Sequence, residues 1–376
     1  MPDASFKKLQ DIKDLEGKRV LLRLDLNVPI VDGGVRDDFR IKRILPTIAY
    51  LKEKKAKTII VSHIDDSDTA SLSPVAKYLG GFYTISAFVP DVSSAPKIIS
   101  AMKAGDVIML ENIRKDKGEV ENNPAFAKSL AALADIYVND AFSVSHRAHA
   151  SIVGVPKLLP CYAGLLMQKE IAALSEAFNP SRPFLLALAG AKFDTKLPLI
   201  EKFLDIADYI FVGGALANDI FKEKGYEVGR SKISKVYVNL RRVANSPKLI
   251  VPSDVIVQNA YESGDRMAKD VAPLDVIVDA GPRTSAELAD LLQDIKFVLW
   301  NGPFGDYEKG FSQSTVDFGQ AVIDSGARSI VGGGDTVAVV SKAGMLDKFT
   351  FTSTGGGAMI EFLANGTLPG IEALKS

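Results

Sequence analysis

A chain of 376 residues is longer than one typical core, so two domains are expected. A net charge of −1 excludes a global basic field for nucleic acid or an anionic membrane, and any anion site must be local. The one cysteine, Cys161, excludes an intrachain disulfide and a cysteine-based zinc site. It suits a reducing compartment, and a cytoplasmic protein is expected because "MPDASFKKLQ" has no apolar signal core and no apolar run reaches the roughly 18 residues of a membrane helix.

Short runs rich in Val, Ile and Leu recur along the chain, separated by segments of helical pattern. The first series is "RVLLRLDL" from Arg19, "TIIVSH" from Thr58, "DVIML" from Asp106 and "DIYVNDAF" from Asp135. Next comes "VPKLLPCYAGLLMQKEIAALSEAFNPSRP", whose middle, Gly164 to Phe178, reads as one connecting helix between Pro160 and Pro180. A second series follows: "FLLALAG" from Phe184, "YIFVGGA" from Tyr209, "LIVPSDVIV" from Leu249, "DVIVDAG" from Asp275, "FVLWNGP" from Phe297 and "RSIVGGG" from Arg328. Continuous apolar runs without strict alternation predict strands buried on both faces, hence parallel sheets covered by helices. The expected fold class is α/β, with two Rossmann-like domains, each a parallel sheet flanked by helices, joined by the helix over 163–178 with a cleft between them.

Ligands in such sheets bind beyond the carboxyl ends of the strands. In the first half those ends carry Arg23, Asp25 and Asn27; His63; Asn112 and Arg114; and Asn139, His146, Arg147 and His149. Arg40 opens a helical segment. Any one of these arginines alone reads as a surface or ion-pair residue, and Asp25 and Asn27 alone as turn residues. Their shared position after apolar runs points instead to a basic pocket for a small polyanion, since guanidinium matches carboxylate and phosphate oxygens.

The second half places glycine at the same positions: "AGAKFDTK", "GGALA", "DAGP", "WNGPFG", "GGGDT" and "STGGGA". Glycine lets backbone N–H groups approach phosphates, and a helix N-terminus adds partial positive charge. Lys192 and Lys196 add full charges, and Asp335 is a candidate magnesium ligand. Neither GxxxxGK[ST] nor GxGxxG occurs. One half suits a small acid and the other a nucleotide, which points to a phosphotransferase.

The chain resembles the phosphoglycerate kinase family through "RLDLNVP" (Arg23–Pro29), "LENIR" (Leu110–Arg114), "NDAFSVSHRAHAS" (Asn139–Ser151), "GAK…K" (Gly190–Lys196), "WNGPFG" (Trp300–Gly305), "GGGDT" (Gly332–Thr336) and "STGGGA" (Ser353–Ala358), in order over nearly the whole chain. The resemblance implies transfer of a phosphoryl group between 1,3-bisphosphoglycerate and MgADP, giving 3-phosphoglycerate and MgATP, in line and after domain closure. Residues 1–162, with the tail 362–376 packing back on them, would form the acid-substrate domain, and 163–361 the nucleotide domain. Arg23, Asp25, Asn27, Arg40, His63, Arg114, His146 and Arg147 would hold the phosphoglycerate. Arg40, Lys192, Lys196, Gly333 and Gly356 would face the moving group. Gly190, Ala191, Lys192, Lys196, Gly213, Gly214, Asn301, Gly305, Glu308, Gly334, Asp335 and Thr336 would line the nucleotide, with Mg2+ on Asp335. A monomer without nucleic-acid or membrane partners is expected.

The match fails at one place. The family's S-H-L-G-R-P becomes "SHIDDSD" here, with Asp66 where an arginine is expected. Asp306 and Ala215 are smaller departures. Asp66 leaves open two alternatives: a nucleotide-binding protein that has lost the reaction, and a kinase for another small acid.

Overall fold

The computed structural model describes residues 5–64, 70–190, 193–235 and 239–375, with backbone alone for 193–195. The chain divides into two compact units, one running up to Ala172 and resuming at Thr367, the other spanning Ala173–Gly366.

In the first unit the strands are β1 (Arg19–Arg23), the two arms of a short hairpin, β2 (Ile30–Val31) and β3 (Gly34–Val35), then β4 (Lys57–Val61), β5 (Ala87–Val89), β6 (Val107–Leu110), β7 (Ile136–Asn139) and β8 (Cys161–Ala163). The main sheet has the order β5-β6-β4-β1-β7-β8, all parallel. Strands β6 and β7 are buried throughout, as unalternating apolar runs require when helices cover both faces. Helix Phe39–Glu53 shows how: Ile41, Ile44, Ile48 and Leu51 recur at helical spacing and join a core with Val20, Leu22 and Ile60. Helix Pro124–Ala131 starts where its sequence says it should, with Pro124 in its first turn and the Asn123 side chain accepting the Ala125 and Phe126 N–H groups.

In the second unit the strands are β9 (Phe184–Leu188), β10 (Tyr209–Val212), β11 (Leu249–Ile250), β12 (Asp254–Gln258), β13 (Ser263–Met267), β14 (Val276–Ala280), β15 (Phe297–Asn301), β16 (Arg328–Gly332) and β17 (Phe351–Thr352). A parallel sheet has the order β11-β10-β9-β15-β16-β17. Two expectations change here. "LIVPSDVIV" is two strands, because Pro252 cannot extend the ladder, and "DVIVDAG" is not a parallel strand. Strands β12 and β14 pair antiparallel, with β13 on the outer side of β12, in a separate small sheet. The apolar middle of "DVIVDAG" looks like any buried run, yet Val276 and Ile277 at the start of β14 are only partly covered, which periodicity alone does not register.

The connecting segment forms helix Leu165–Ser175 and a 3-10 turn, Glu176–Phe178. The sequence places a boundary at 162/163; the compact units part between Ala172 and Ala173, inside this helix. Helix Gly356–Asn365, capped by left-handed Gly366, closes the second unit. The chain returns to the first unit at Thr367, a few residues after the predicted tail start of 362. There Leu368, Ile371 and Leu374 are buried and the Gly370 N–H donates to the Ser145 carbonyl at 2.8 Å.

Both parallel sheets reverse direction of growth once. In the first, β1 is flanked by β4 and by the late strand β7; in the second, β9 is flanked by β10 and the late strand β15. Helices on either side of such a switch point diverge and leave a crevice at the carboxyl edge.

Candidate functional site

At the first switch point the candidates form two tiers. Arg23, the last residue of β1, is fully buried. Its Nε donates to Ser151 Oγ at 2.8 Å and one terminal nitrogen donates to the Leu24 carbonyl. The other lies 3.3 Å from His63 Nδ1 and 3.9 Å from Glu119 Oε1. Glu119 is itself fully buried and accepts from the Ser151 N–H at 2.9 Å and hydroxyl at 2.6 Å. The Arg23 guanidinium is thus fully engaged by protein groups.

Because Arg23 donates to His63 Nδ1, that nitrogen must accept, and the ring is neutral with Nε2–H directed at Asp25 Oδ1, 3.8 Å away. Burial keeps the His63 pKa well below its usual value. Burial also pushes the Asp25 pKa up, but the Arg40 charge, the Ser143 hydroxyl and the Asn27 N–H outweigh it, so this carboxylate stays ionised well below the usual range.

Above this buried tier lie Asn27, Arg40, Arg114 and His146, part-buried, and Arg147, exposed. Arg40 NH1 donates to the Asn27 carbonyl at 2.8 Å and sits 3.1 Å from Asp25 Oδ2, its side chain 29% exposed. His63 feels the charges of Arg23, Arg114 and Arg40; His149, its pKa pushed down to about 4 first by burial, feels Arg114, Arg147, Arg23 and His146. Arg114 belongs to both groups, so the dispersed cations of the sequence converge on one field. With both histidines neutral, the arginines supply its charge.

At the second switch point the elements are turns and helix starts. Gly190 (φ 100°), Gly214 (φ 60°), Gly302 (φ 107°) and Gly333 (φ 101°) all adopt backbone conformations that side chains resist. Gly214 caps helix Ala215–Glu223 and Gly333 caps helix Gly334–Lys342. These glycines support one another: a Cβ on Gly214 would stand 2.8 Å from the Gly190 nitrogen, and one on Gly302 would overlap the Ala189 carbonyl. A Cβ on Gly333 would stand 3.2 Å from both Asn301 Nδ2 and Thr336 Oγ1, and one on Gly356 3.5 Å from Gly333 Cα. Thr336 Oγ1 accepts the Gly302 N–H at 2.8 Å. Gly302→Ala is therefore expected to lower stability by about 3 kcal/mol, against about 1 kcal/mol for Gly326→Ala, where φ is also positive but space is open. Chemical denaturation midpoints of the two variants check this.

Lys196 Nζ donates to the Ala189 carbonyl, and burial brings its pKa down to about 8, partly offset by the Asp335 charge. Asp335, in the first turn of helix Gly334–Lys342, accepts from the Tyr307 hydroxyl at 3.2 Å. Tyr307 and the exposed Glu308 share the 3-10 turn Tyr307–Lys309, just after Gly305. Asp306, just before that turn, pairs with Lys309 at 2.8 Å, so the acid that departs from the family pattern has a cation beside it. Gly213 sits at the end of β10, its N–H on the Leu188 carbonyl. Asp66, Ala191 and Lys192 lie outside the described residues.

Sequence reasoning did not single out Glu119, Ser143 or Tyr307. A glutamate in "KDKGEVEN" carries no signal that it is buried, and a serine or tyrosine inside a longer motif is indistinguishable from a packing residue.

Among the described residues no cluster of three or more His, Cys, Asp or Glu could hold a metal ion, and no helix is long and apolar enough to cross a membrane. A single carboxylate such as Asp335, in the first turn of a helix behind the glycine turn at Gly333, is chemically compatible with a magnesium ion that keeps most of its shell as phosphate and water oxygens.

The family model described as phosphoglycerate kinase matches residues 9–366. A curated phosphoglycerate kinase from Desulfosudis oleivorans is 42% identical over 392 aligned residues, covering 98% of this chain and 99% of the relative. One from Dictyoglomus turgidum is 41% identical over 393, with the same coverage. Among solved structures, phosphoglycerate kinase from Coxiella burnetii superposes with a TM-score of 0.83 at 37% identity, and that from Pyrococcus horikoshii with 0.87 at 32%, each covering 98% of both chains.

Proposed function

The chain belongs to the phosphoglycerate kinase family, and from that premise we infer that it moves a phosphoryl group reversibly between 1,3-bisphosphoglycerate and MgADP, giving 3-phosphoglycerate and MgATP. The observation that carries this reading is the pairing of two unlike switch points. One gathers arginines over a buried Asp25–His63 base; the other presents glycine-capped helix starts with Lys196 and Asp335.

The first unit holds the phosphoglycerate, with Asn27, Arg40, Arg114, His146 and Arg147 toward its anionic groups. Asp25 and His63 set the orientation of Arg40. Arg23 acts as a positioning residue, because its guanidinium is spent on Ser151, Leu24, His63 and Glu119. The second unit holds the nucleotide along Gly190, Ala191, Gly213, Gly214, Asn301, Gly305, Glu308, Gly334 and Thr336, with Lys192 and Lys196 on its phosphates. Asp335 holds Mg2+, which when bound neutralises charge on the phosphate oxygens.

The acyl phosphate is an activated donor, so no strong base is needed. The protein's task is to align attacking and leaving oxygens and to neutralise the three equatorial oxygens in flight. Arg40, Lys192, Lys196 and the N–H groups at Gly333 and Gly356 serve that charge. Closure of the two units expels water, which prevents hydrolysis of the donor. The enzyme works as a monomer in the cytoplasm, without nucleic-acid or membrane partners.

A coupled assay with 3-phosphoglycerate and MgATP is expected to show saturable turnover in both substrates. Binding of MgADP without any binding of 3-phosphoglycerate at millimolar concentration would instead identify a protein that has lost the reaction, with Asp66 as the first suspect.

A further inference from the structure

Glu119 lies on the short helix Lys117–Val120 and is fully buried. Two features turn it inward. The Asp116 side chain accepts the Gly118 N–H at 2.8 Å, and a Cβ on Gly118 would stand 2.8 Å from the Phe126 Cβ, so the absence of a side chain lets this turn pack against helix Pro124–Ala131. A Cβ on Gly154 would likewise stand 2.8 Å from the Ala127 Cβ. Gly154 ends a π-helical turn, Ala150–Gly154, that follows directly on His149. Glu119 bonds to the start of that turn. Its Oε2 accepts the Ser151 N–H at 2.9 Å, one of the donors that a helix start leaves without an internal partner, and its Oε1 accepts the Ser151 hydroxyl at 2.6 Å. The Ser151 Oγ also accepts the Arg23 Nε–H at 2.8 Å, and its carbonyl accepts the Tyr137 hydroxyl at 2.6 Å. Every polar group of Ser151 is therefore in use, on partners from β1, from β7 and from the helix of Glu119. The near end of the same segment is held separately, by the Ser143 hydroxyl on Asp25 and the Arg147 N–H on the Val144 carbonyl at 3.0 Å.

We propose that Glu119 is a positioning residue for the acid substrate: by bonding both donors of Ser151 it fixes the far end of the segment that carries His146, Arg147 and His149, and so sets where those side chains meet the anion. Charge balance for Arg23 alone would not need this arrangement. The approach of Arg23 to Glu119 is 3.9 Å, beyond hydrogen-bond distance, whereas both bonds to Ser151 are short.

The inference rests on the kinase reading above, and the experiment separates the two. Glu119→Asp keeps the charge near Arg23 but is one methylene too short to hold both Ser151 donors. Expected is a rise of about tenfold in KM for 3-phosphoglycerate, with kcat and KM for MgATP changed less than about twofold. Glu119→Gln keeps the reach and gives up the charge. It is expected to move that KM less than Glu119→Asp does while lowering the denaturation midpoint more, because a buried guanidinium loses its counter-charge. A larger KM rise in Glu119→Gln than in Glu119→Asp would assign the residue to charge balance and overturn the proposal. So would an unchanged KM for the acid in Glu119→Asp, or a parallel fall in kcat and in affinity for both substrates. Should Glu119→Gln not fold, Glu119→Asp decides. Hydrogen exchange needs no activity: in Glu119→Asp the Ser151 amide is expected to exchange faster while β9 amides do not, and unchanged protection at Ser151 would refute the anchoring. Absence of wild-type turnover would sink the functional reading alone and leave the exchange result to decide the role of Glu119.

Discussion

Arg40→Ala is expected to lower kcat by about 10³-fold, the scale on which an arginine stabilises charge on a transferring phosphoryl group. The side chain is fixed at its inner edge by the Asn27 carbonyl and Asp25 Oδ2, and is 29% exposed. KM for nucleotide should stay close to wild type. Arg40→Lys should recover only part of the loss, since an ammonium keeps the charge but not the planar fork that uses one edge for anchoring and the other for ligand. The substitution has a second consequence. Arg40 is the strongest influence holding the Asp25 pKa down against burial, so in Arg40→Ala the Asp25 pKa must rise, and NMR titration of that carboxyl should show it. Near-wild-type kcat in Arg40→Ala would remove the residue from the reacting centre.

Lys196→Ala is expected to lower kcat by about 10²–10³-fold, comparable to losing one preorganised donor at a developing charge, and to expose the pH behaviour of nucleotide binding. With its pKa near 8 instead of the usual 10.5, Lys196 is charged below pH 8 and neutral above it in the unliganded protein. Phosphate oxygens favour the charged form, so binding raises the pKa. Affinity for ADP should weaken as pH rises through about 8, and at that pH binding should take up about half a proton. The stability term has a definite sign. The folded chain holds this proton less tightly than the unfolded chain, so the lysine opposes folding below pH 8, and the penalty fades between 8 and 10.5 as the unfolded chain also loses the proton. Calorimetry at pH 8 in two buffers of different ionisation enthalpy measures the uptake, which Lys196→Arg should abolish.

How much of this could be read in the letters depends on where the physics is local. The strands "RVLLR", "TIIV", "VIML" and "IYVN" are legible because burial on both faces writes an apolar run with no alternation. The glycine turns at 214 and 333 are legible because a positive φ leaves few alternatives. The strands Ala87–Val89 and Phe351–Thr352 are too short to show a period, and Cys161–Ala163 hides within a stretch that reads as linker. The small antiparallel sheet is not legible, because "DVIVDAG" carries the composition of a parallel strand while its partners are set by tertiary pairing. Among the candidate residues, the cations are legible in the sequence and their differing burial is not. Arg23 and Arg40 look alike in sequence; only the company of Glu119 and Ser151 buries the one, while the other keeps its side chain 29% exposed.

The chain's return at Thr367 has a consequence for its birth on the ribosome. The half translated first keeps core side chains of Leu368, Ile371 and Leu374, and a main-chain bond to Ser145, on loan from residues made only after the whole second unit. That bond props the segment carrying His146 and Arg147. A nascent chain that has already emitted its first sheet must wait until residues 367–375 emerge, after the whole second unit, before that segment gains its support.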